Sequence, residues 1–225
     1  MIARGLFLAA ALGLASASCT APAAAESVVS APAAQRQSAE SGGLKTAIFA
    51  GGCFWGVEAV FSHMKGVTSA VSGYHGGTAR SAKYDIVSSG VTDHAEAVRV
   101  TYDPRIVRYD QLLRVFFSVV ADPTLKNRQG PDVGTQYRAA LIPVSAEQNA
   151  VARAYLAQMK ASRMWKAPIV TNIERAQAFY PAETYHQDFA LKNPNHGYIR
   201  QWDAPKVAAL QRMYPALYQT GFRRN

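Results

Sequence analysis

The stretch Leu44–Met64 constrains the fold more than any other, because its periodicity changes in the middle. Leu44 to Ala50 is short, partly β-branched and aromatic, and predicts a strand. From Phe54 onward the apolar positions fall at Phe54, Val57, Val60 or Phe61, and Met64, steps of three and four that predict a helix. Between them stand Gly51-Gly52-Cys53, so a strand must become a helix across two residues that have no side chain and one thiol. A cysteine at such a turn faces the free N–H groups of a helix N-terminus, and those dipoles favour the thiolate. Phe54 and Trp55 put apolar surface beside the sulfur. A lone cysteine most often packs as a small hydrophobe; its setting makes Cys53 a candidate nucleophile.

The N-terminus has a different character. A short basic start at Arg4 precedes an apolar run from Gly5 to Ala15, the form of a secretory signal rather than of a membrane span. Cleavage after Ala23-Ala24-Ala25 would set aside residues 1–25. Cys19 offers the alternative of a lipid anchor, after Ser16-Ala17-Ser18. Either way Cys53 is expected to be the one free thiol of an exported protein, periplasmic or held at a membrane facing the periplasm. Residues 26–43 are rich in Ala, Ser, Pro and Gln and predict a flexible linker. Residues 44–225 suit a single domain, expected to act as a monomer.

Several function classes find no support. The net charge of +9 comes from scattered Lys and Arg without a recognition motif, which argues against a nucleic-acid partner. His63, His75, His94, His186 and His196 lack metal-ligand spacing, and no cofactor motif is present.

Further strands are predicted at Val67–Tyr74, Ala95–Asp103, Tyr137–Val144 and Ile169–Glu174. Helices are predicted at Asp110–Val120, from Ser145 (with Gln148 as capping box) to Ser162, and over Glu183–Leu191. Residues 78–92 read as a long loop containing Tyr84. This order gives an α+β fold, a mixed β-sheet sandwich with packed helices. In the strand at Ala95, Glu96 shares a face with Val98, Val100 and Tyr102, while Ala97, Arg99, Thr101 and Asp103 take the other, expected to be wet. A carboxyl on the apolar face is expected to be buried, with a raised pKa and a proton near neutral pH.

Gly51-Gly52-Cys53-Phe54-Trp55-Gly56, His94-Ala95-Glu96-Ala97-Val98, and Asp132-Val133-Gly134-Thr135-Gln136-Tyr137-Arg138 together resemble the signatures of the peptide methionine sulfoxide reductases of the A type. Asp122-Pro123-Thr124, and Phe179-Tyr180 through Glu183, Tyr185, His186 and Gln187 to Asn193-Pro194, extend the likeness over residues 44–200. The resemblance implies a ferredoxin-like core with insertions. It implies Cys53 and Glu96 as catalytic residues and Phe54, Trp55, Tyr84, Asp132 and Tyr137 as substrate-binding residues. Tyr84, Tyr137 and Glu96 would hold the sulfoxide oxygen, and Phe54 and Trp55 the methyl group. Ala121 stands where the family commonly has a histidine, and no cysteine follows Asn193, so the chain resembles the single-cysteine subgroup. The implied reaction reduces methionine S-sulfoxide, in proteins or free, through a Cys53 sulfenic acid. An external thiol, thioredoxin-like or glutaredoxin-like, would then reduce the enzyme. Two rivals remain open: a cysteine hydrolase with His94 or His186 as base, and a binding module with an aromatic groove.

Overall fold

The computed structural model describes residues 28–224. The expected signal segment, its cleavage site and Cys19 lie outside the described residues. In chain order the elements are β1 (Lys45–Gly51), α1 (Phe54–Ser62), β2 (Val67–His75), α2 (Tyr84–Val87), β3 (Ala95–Tyr102) and α3 (Tyr109–Val115). They continue as β4 (Arg128–Gln129), β5 (Asp132–Val133), β6 (Ala139–Ile142), α4 (Ala146–Ser162), β7 (Asn172–Ile173), β8 (Phe179–Pro181), α5 (Phe189–Lys192) and α6 (Ala204–Met213). Six strands form one mixed sheet in the order β7-β6-β1-β3-β2-β8, antiparallel throughout except for the β6–β7 pair. The fold is α+β, as the period changes require.

One face of the sheet carries the main core. Phe49 of β1 and Val98, Val100 and Tyr102 of β3 meet Val57, Val60 and Phe61 of α1, Leu112 and Leu113 of α3, and Val151 and Tyr155 of α4. Each such side chain contributes about 1.5–3 kcal/mol on burial. The opposite face, expected to be wet, is partly closed instead. Ile48, Ala50, Ala95, Ala97, Ala140 and Ile142 form a second, small-residue cluster there, and Phe179 packs against it under the Arg99 guanidinium, 4.9 Å from the ring. Strand β8 supplies that phenyl ring and was not foreseen, since three residues carry no periodicity.

The segment expected as a flexible linker is docked over residues 28–43. Ala31 is fully buried and its N–H donates to Ser118 Oγ (3.1 Å). Tyr155 donates to the Pro32 carbonyl (2.7 Å), the Ser38 N–H donates to Asp110 (2.9 Å), and Glu40 accepts from Tyr102 and from the Gln148 amide (3.0 Å). Composition weighed only the segment's own apolar side chains; polar groups of the domain hold its backbone instead.

Other boundaries shift for local reasons. The helix expected through Val120 keeps α geometry to Val115 and widens into a π turn over Phe116–Val120. Tyr137 ends a 3-10 turn (Thr135–Tyr137) before β6 rather than starting a strand, and the strand expected at Ile169–Glu174 is reduced to β7. Ser145 caps α4 by accepting the Gln148 N–H (3.1 Å), while the Gln148 side chain takes the Val144 N–H (2.9 Å). The helix expected at Glu183–Leu191 splits into a 3-10 turn (Thr184–His186) and α5. The tail after α6 folds back on the end of α1, where Gln219 N–H donates to the His63 carbonyl (2.8 Å) and Arg223 N–H to that of Ser62 (3.1 Å).

Candidate active site

Cys53 is the N-cap of α1 and is partly buried. Its position depends on the three glycines around it. Gly52 has φ +88°, and a Cβ there would lie 2.6 Å from Gln129 Cβ. A Cβ on Gly51 would press on Phe116 (3.0 Å) and Val120 (3.2 Å), and one on Gly56 would meet Asp203 Oδ1 at 2.3 Å. The buried Gln129 is itself locked, its amide exchanging two 2.9 Å bonds with the Asp122 backbone. The turn that presents the thiol is therefore packed on every side.

The first free N–H groups of α1 are shared between two acids. Phe54 N–H donates to Glu96 Oε2 (2.9 Å), and the Trp55 N–H reaches the Cys53 sulfur. Glu96 is buried, as its place in β3 predicts. Burial raises its pKa to about 8; the Phe54 N–H opposes the rise, and Asp132 and Asp203 add to it. The thiol departs from the expectation of a favoured thiolate. Burial pushes Cys53 up, Glu96 and Asp203 push it further, and the Trp55 N–H offsets only part of this. At neutral pH the site therefore holds a thiol and a carboxylic acid side by side.

Tyr84 and Tyr137 converge on the same spot from different elements. Tyr84 opens α2, where its N–H donates to Glu183 Oε1 (2.9 Å), and Glu183 Oε2 also accepts from Tyr74 (2.8 Å). Both phenols are raised by burial first and then by Glu96, and both feel a charge on Cys53. They stay protonated donors throughout the neutral range. Arg138 fixes the Tyr137 turn: it bonds the carbonyls of Thr135 and Asp93 (3.0 Å each) and both oxygens of Glu174 (2.7 and 3.1 Å). Asp132 accepts a hydrogen bond from Tyr198, whose phenol is raised by burial and by Cys53. Phe54 is buried against Tyr74 and His186, whereas Trp55 is half-buried, its indole N–H donating to His186 Nδ1 (3.1 Å).

All seven residues singled out in the sequence thus lie in one constellation around the end of β1. Tyr198 and Asp203 complete it, and sequence reasoning missed both. They stand in the tail beyond the signature motifs; the one hint was Gly56, whose missing side chain makes room for Asp203. His94 is not placed as a base, because its Nδ1 accepts the Gly77 N–H (3.2 Å) and its Nε2 faces the Thr78 carbonyl (3.0 Å). His186 differs: its Nδ1 accepts the Trp55 indole N–H, while its Nε2 is buried without a hydrogen-bond partner among the described residues.

Residues 45–216 match the family model for peptide methionine sulfoxide reductase. The chain belongs to the peptide methionine sulfoxide reductase family. It is 54% identical over 176 residues to a peptide methionine sulfoxide reductase MsrA 2 of Mesorhizobium japonicum, covering 78% of this chain and 90% of that one. It is 48% identical over 172 residues to an MsrA 2 of Synechocystis, covering 76% and 80%. Among solved structures, the reduced form of Mxr1 from Saccharomyces cerevisiae superposes with a TM-score of 0.60 at 33% identity, covering 72% of this chain and 92% of Mxr1. Methionine sulfoxide reductase A of Corynebacterium diphtheriae gives 0.57 at 32% identity, covering 68% and 77%. The chain is accordingly a methionine sulfoxide reductase, an oxidoreductase, and the hydrolase and binding-module readings fall away.

Proposed function

We propose that the reductase works through a sulfenic acid on Cys53, with Glu96 as the proton donor. The observation that carries this reading is the sharing of the α1 N-terminus between Glu96 and the Cys53 sulfur. Methionine sulfoxide presents a tetrahedral sulfur, a polar oxygen and a methyl group. Its oxygen would meet the Glu96 carboxylic acid and the Tyr84 and Tyr137 hydroxyls, donors that strengthen as negative charge builds on it. The Cys53 sulfur attacks the substrate sulfur and forms an S–S bond as that oxygen takes the Glu96 proton. The S–O and S–S bonds then break as the hydroxyl passes to Cys53 and the electron pair of the S–S bond stays on the methionine sulfur. Methionine leaves with its sulfur reduced by two electrons, and Cys53 is oxidised to the sulfenic acid. The proton that the thiol gave up returns to Glu96, so the acid is regenerated. Keeping Cys53 a thiol until substrate arrives suits an exposed environment, because a thiol resists stray oxidants better than a thiolate.

Phe54 and Trp55 line the place of the substrate methyl group, and Asp132, oriented by Tyr198, lies on its polar side. That asymmetry selects one sulfur epimer, the S form. No cysteine follows Asn193. The tail is also tied to the far end of α1, so reduction of the sulfenic acid falls to an external thiol of thioredoxin-like or glutaredoxin-like type. The basic start and apolar run at the N-terminus support export to the periplasm, with cleavage after Ala25 or lipidation at Cys19, and a role in repairing oxidised exported proteins. Cys53→Ser should abolish reduction of methionine S-sulfoxide with any reductant while leaving the melting temperature near that of the parent. Turnover by that variant would overturn the reading.

A further inference from the structure

Glu58 is a fully buried carboxylate that the proposed chemistry does not use. It lies in α1 one turn after Trp55, on the same face of the helix. Both its oxygens accept the backbone N–H of Asp188, at 3.2 and 3.1 Å. Asp188 has φ 56°, the left-handed region in which Asp is among the few tolerated non-glycine residues. That turn delivers the next ring, Phe189, flat onto the Trp55 indole, with centroids 3.7 Å apart and planes within 7°. The remaining neighbours of the indole hold it by an edge. His186 takes its N–H, while His196 and Tyr198 approach edge-on at 6.1 and 5.9 Å. The one parallel face contact among them therefore depends on where the Asp188 backbone is held, and Glu58 holds it.

We propose that Glu58 is a positioning residue for the reaction, which stacks Phe189 on Trp55 through the Asp188 N–H and so sets the indole wall against which the substrate methyl group packs. The inference rests on the reading of Trp55 as a wall of the substrate site. Indole and anchor share one rigid helix, so the ring that braces the wall is indexed to the wall itself.

Steady-state kinetics with N-acetylmethionine S-sulfoxide and dithiothreitol test the role. Phe189→Ala removes a stacked pair and should raise KM by about 2- to 12-fold with kcat little changed, the mark of lost binding common to ground and transition states. Glu58→Ala and Glu58→Asp, which withdraws the carboxylate by one methylene, should raise KM by a comparable factor. Glu58→Gln, whose amide oxygen still accepts the Asp188 N–H, should restore KM to within about twofold. Adding Glu58→Ala to Phe189→Ala should raise KM no further, because both changes remove one contact. A wild-type KM for Glu58→Asp, failure of the Gln rescue, or full additivity overturns the proposal. Should Glu58→Ala not fold, the Asp and Gln variants decide between these outcomes. Cys53→Ser, run alongside, separates the two readings. Turnover in it overturns the proposed function, whereas an inactive Cys53→Ser with unchanged KM across the Glu58 variants overturns only the positioning role.

Discussion

Glu96→Gln tests on stability and rate together whether the buried carboxyl carries a proton at neutral pH. The carboxyl rises from the ordinary 4.5 to about 8, chiefly through burial. A raised folded-state pKa means that the unfolded chain releases its proton first. The contribution to stability is thus fully present below 4.5 and is lost as pH rises through about 8. Each pH unit inside that window is worth about 1.4 kcal/mol, and the whole window about 4–5 kcal/mol. For a domain of this size the slope corresponds to a fall of roughly 3–6 °C in Tm per pH unit. Two buried histidines run the other way: His75 and His186 are lowered from 6.5 by desolvation, so their stabilising effect is complete near that pH. Cys53 is raised well above 9.0 and does not titrate in the window. Replacing Glu96 therefore removes a slope that lies within the interval from 6.5 to about 8. Gln keeps the shape and can still accept the Phe54 N–H, but has no proton to lose. Thermal melts of both proteins across that interval should show the variant gaining on wild type by that slope. Its kcat should be lower by about 10²–10⁴-fold, with Glu96→Ala lower still. The wild-type rate should decline above pH 8 as the acid ionises. A difference in Tm that stays flat across the interval would refute the protonated acid.

Tyr84→Phe and Tyr137→Phe each remove one donor to the developing oxyanion and should lower kcat by roughly 10²-fold with smaller changes in KM; rates within a factor of a few of wild type would argue against oxygen binding by the phenols. Gly56→Ala places a methyl group 2.3 Å from Asp203 Oδ1. It should cost about 1–3 kcal/mol by overpacking and reduce activity, read by melting and initial rates. Tyr155→Phe loses the bond that holds Pro32 over the domain. It should cost about 0.5–1.5 kcal/mol and leave kcat unchanged, since this strap lies outside the site; an equal loss of kcat would connect the strap to catalysis.

What the sequence revealed was local. The change of period at Gly51-Gly52 gives β1, the thiol turn and α1, because sterics within a few residues decide them. The alternation in β3 places Glu96 on the core face for the same reason, and its burial raises its pKa. The sign at Cys53 went the other way. Helix dipoles can be read from position, but the opposing burial and the Asp203 charge depend on chain that returns from the C-terminal part of the fold. Tyr198 and Asp203 were invisible for that reason, and so was β8, which is held in place by pairing with β2. Residues 28–43 looked like a tether because their own side chains are small, yet the groups that hold them, Ser118, Asp110, Gln148 and Tyr155, belong to elements far along the chain.

The central claim is that oxygen passes from substrate to Cys53 and stays there until an outside thiol removes it. It is tested most directly by a single turnover without reductant, in a Cys19→Ser chain where Cys53 is the sole thiol. Reduced enzyme mixed with excess methionine S-sulfoxide should release one methionine per chain and yield a dimedone adduct on the Cys53 peptide, identified by mass spectrometry. Further methionine should appear only when dithiothreitol or a thioredoxin-like protein is added. Methionine released without a dimedone-reactive Cys53, or continued turnover with no thiol present, would contradict the mechanism.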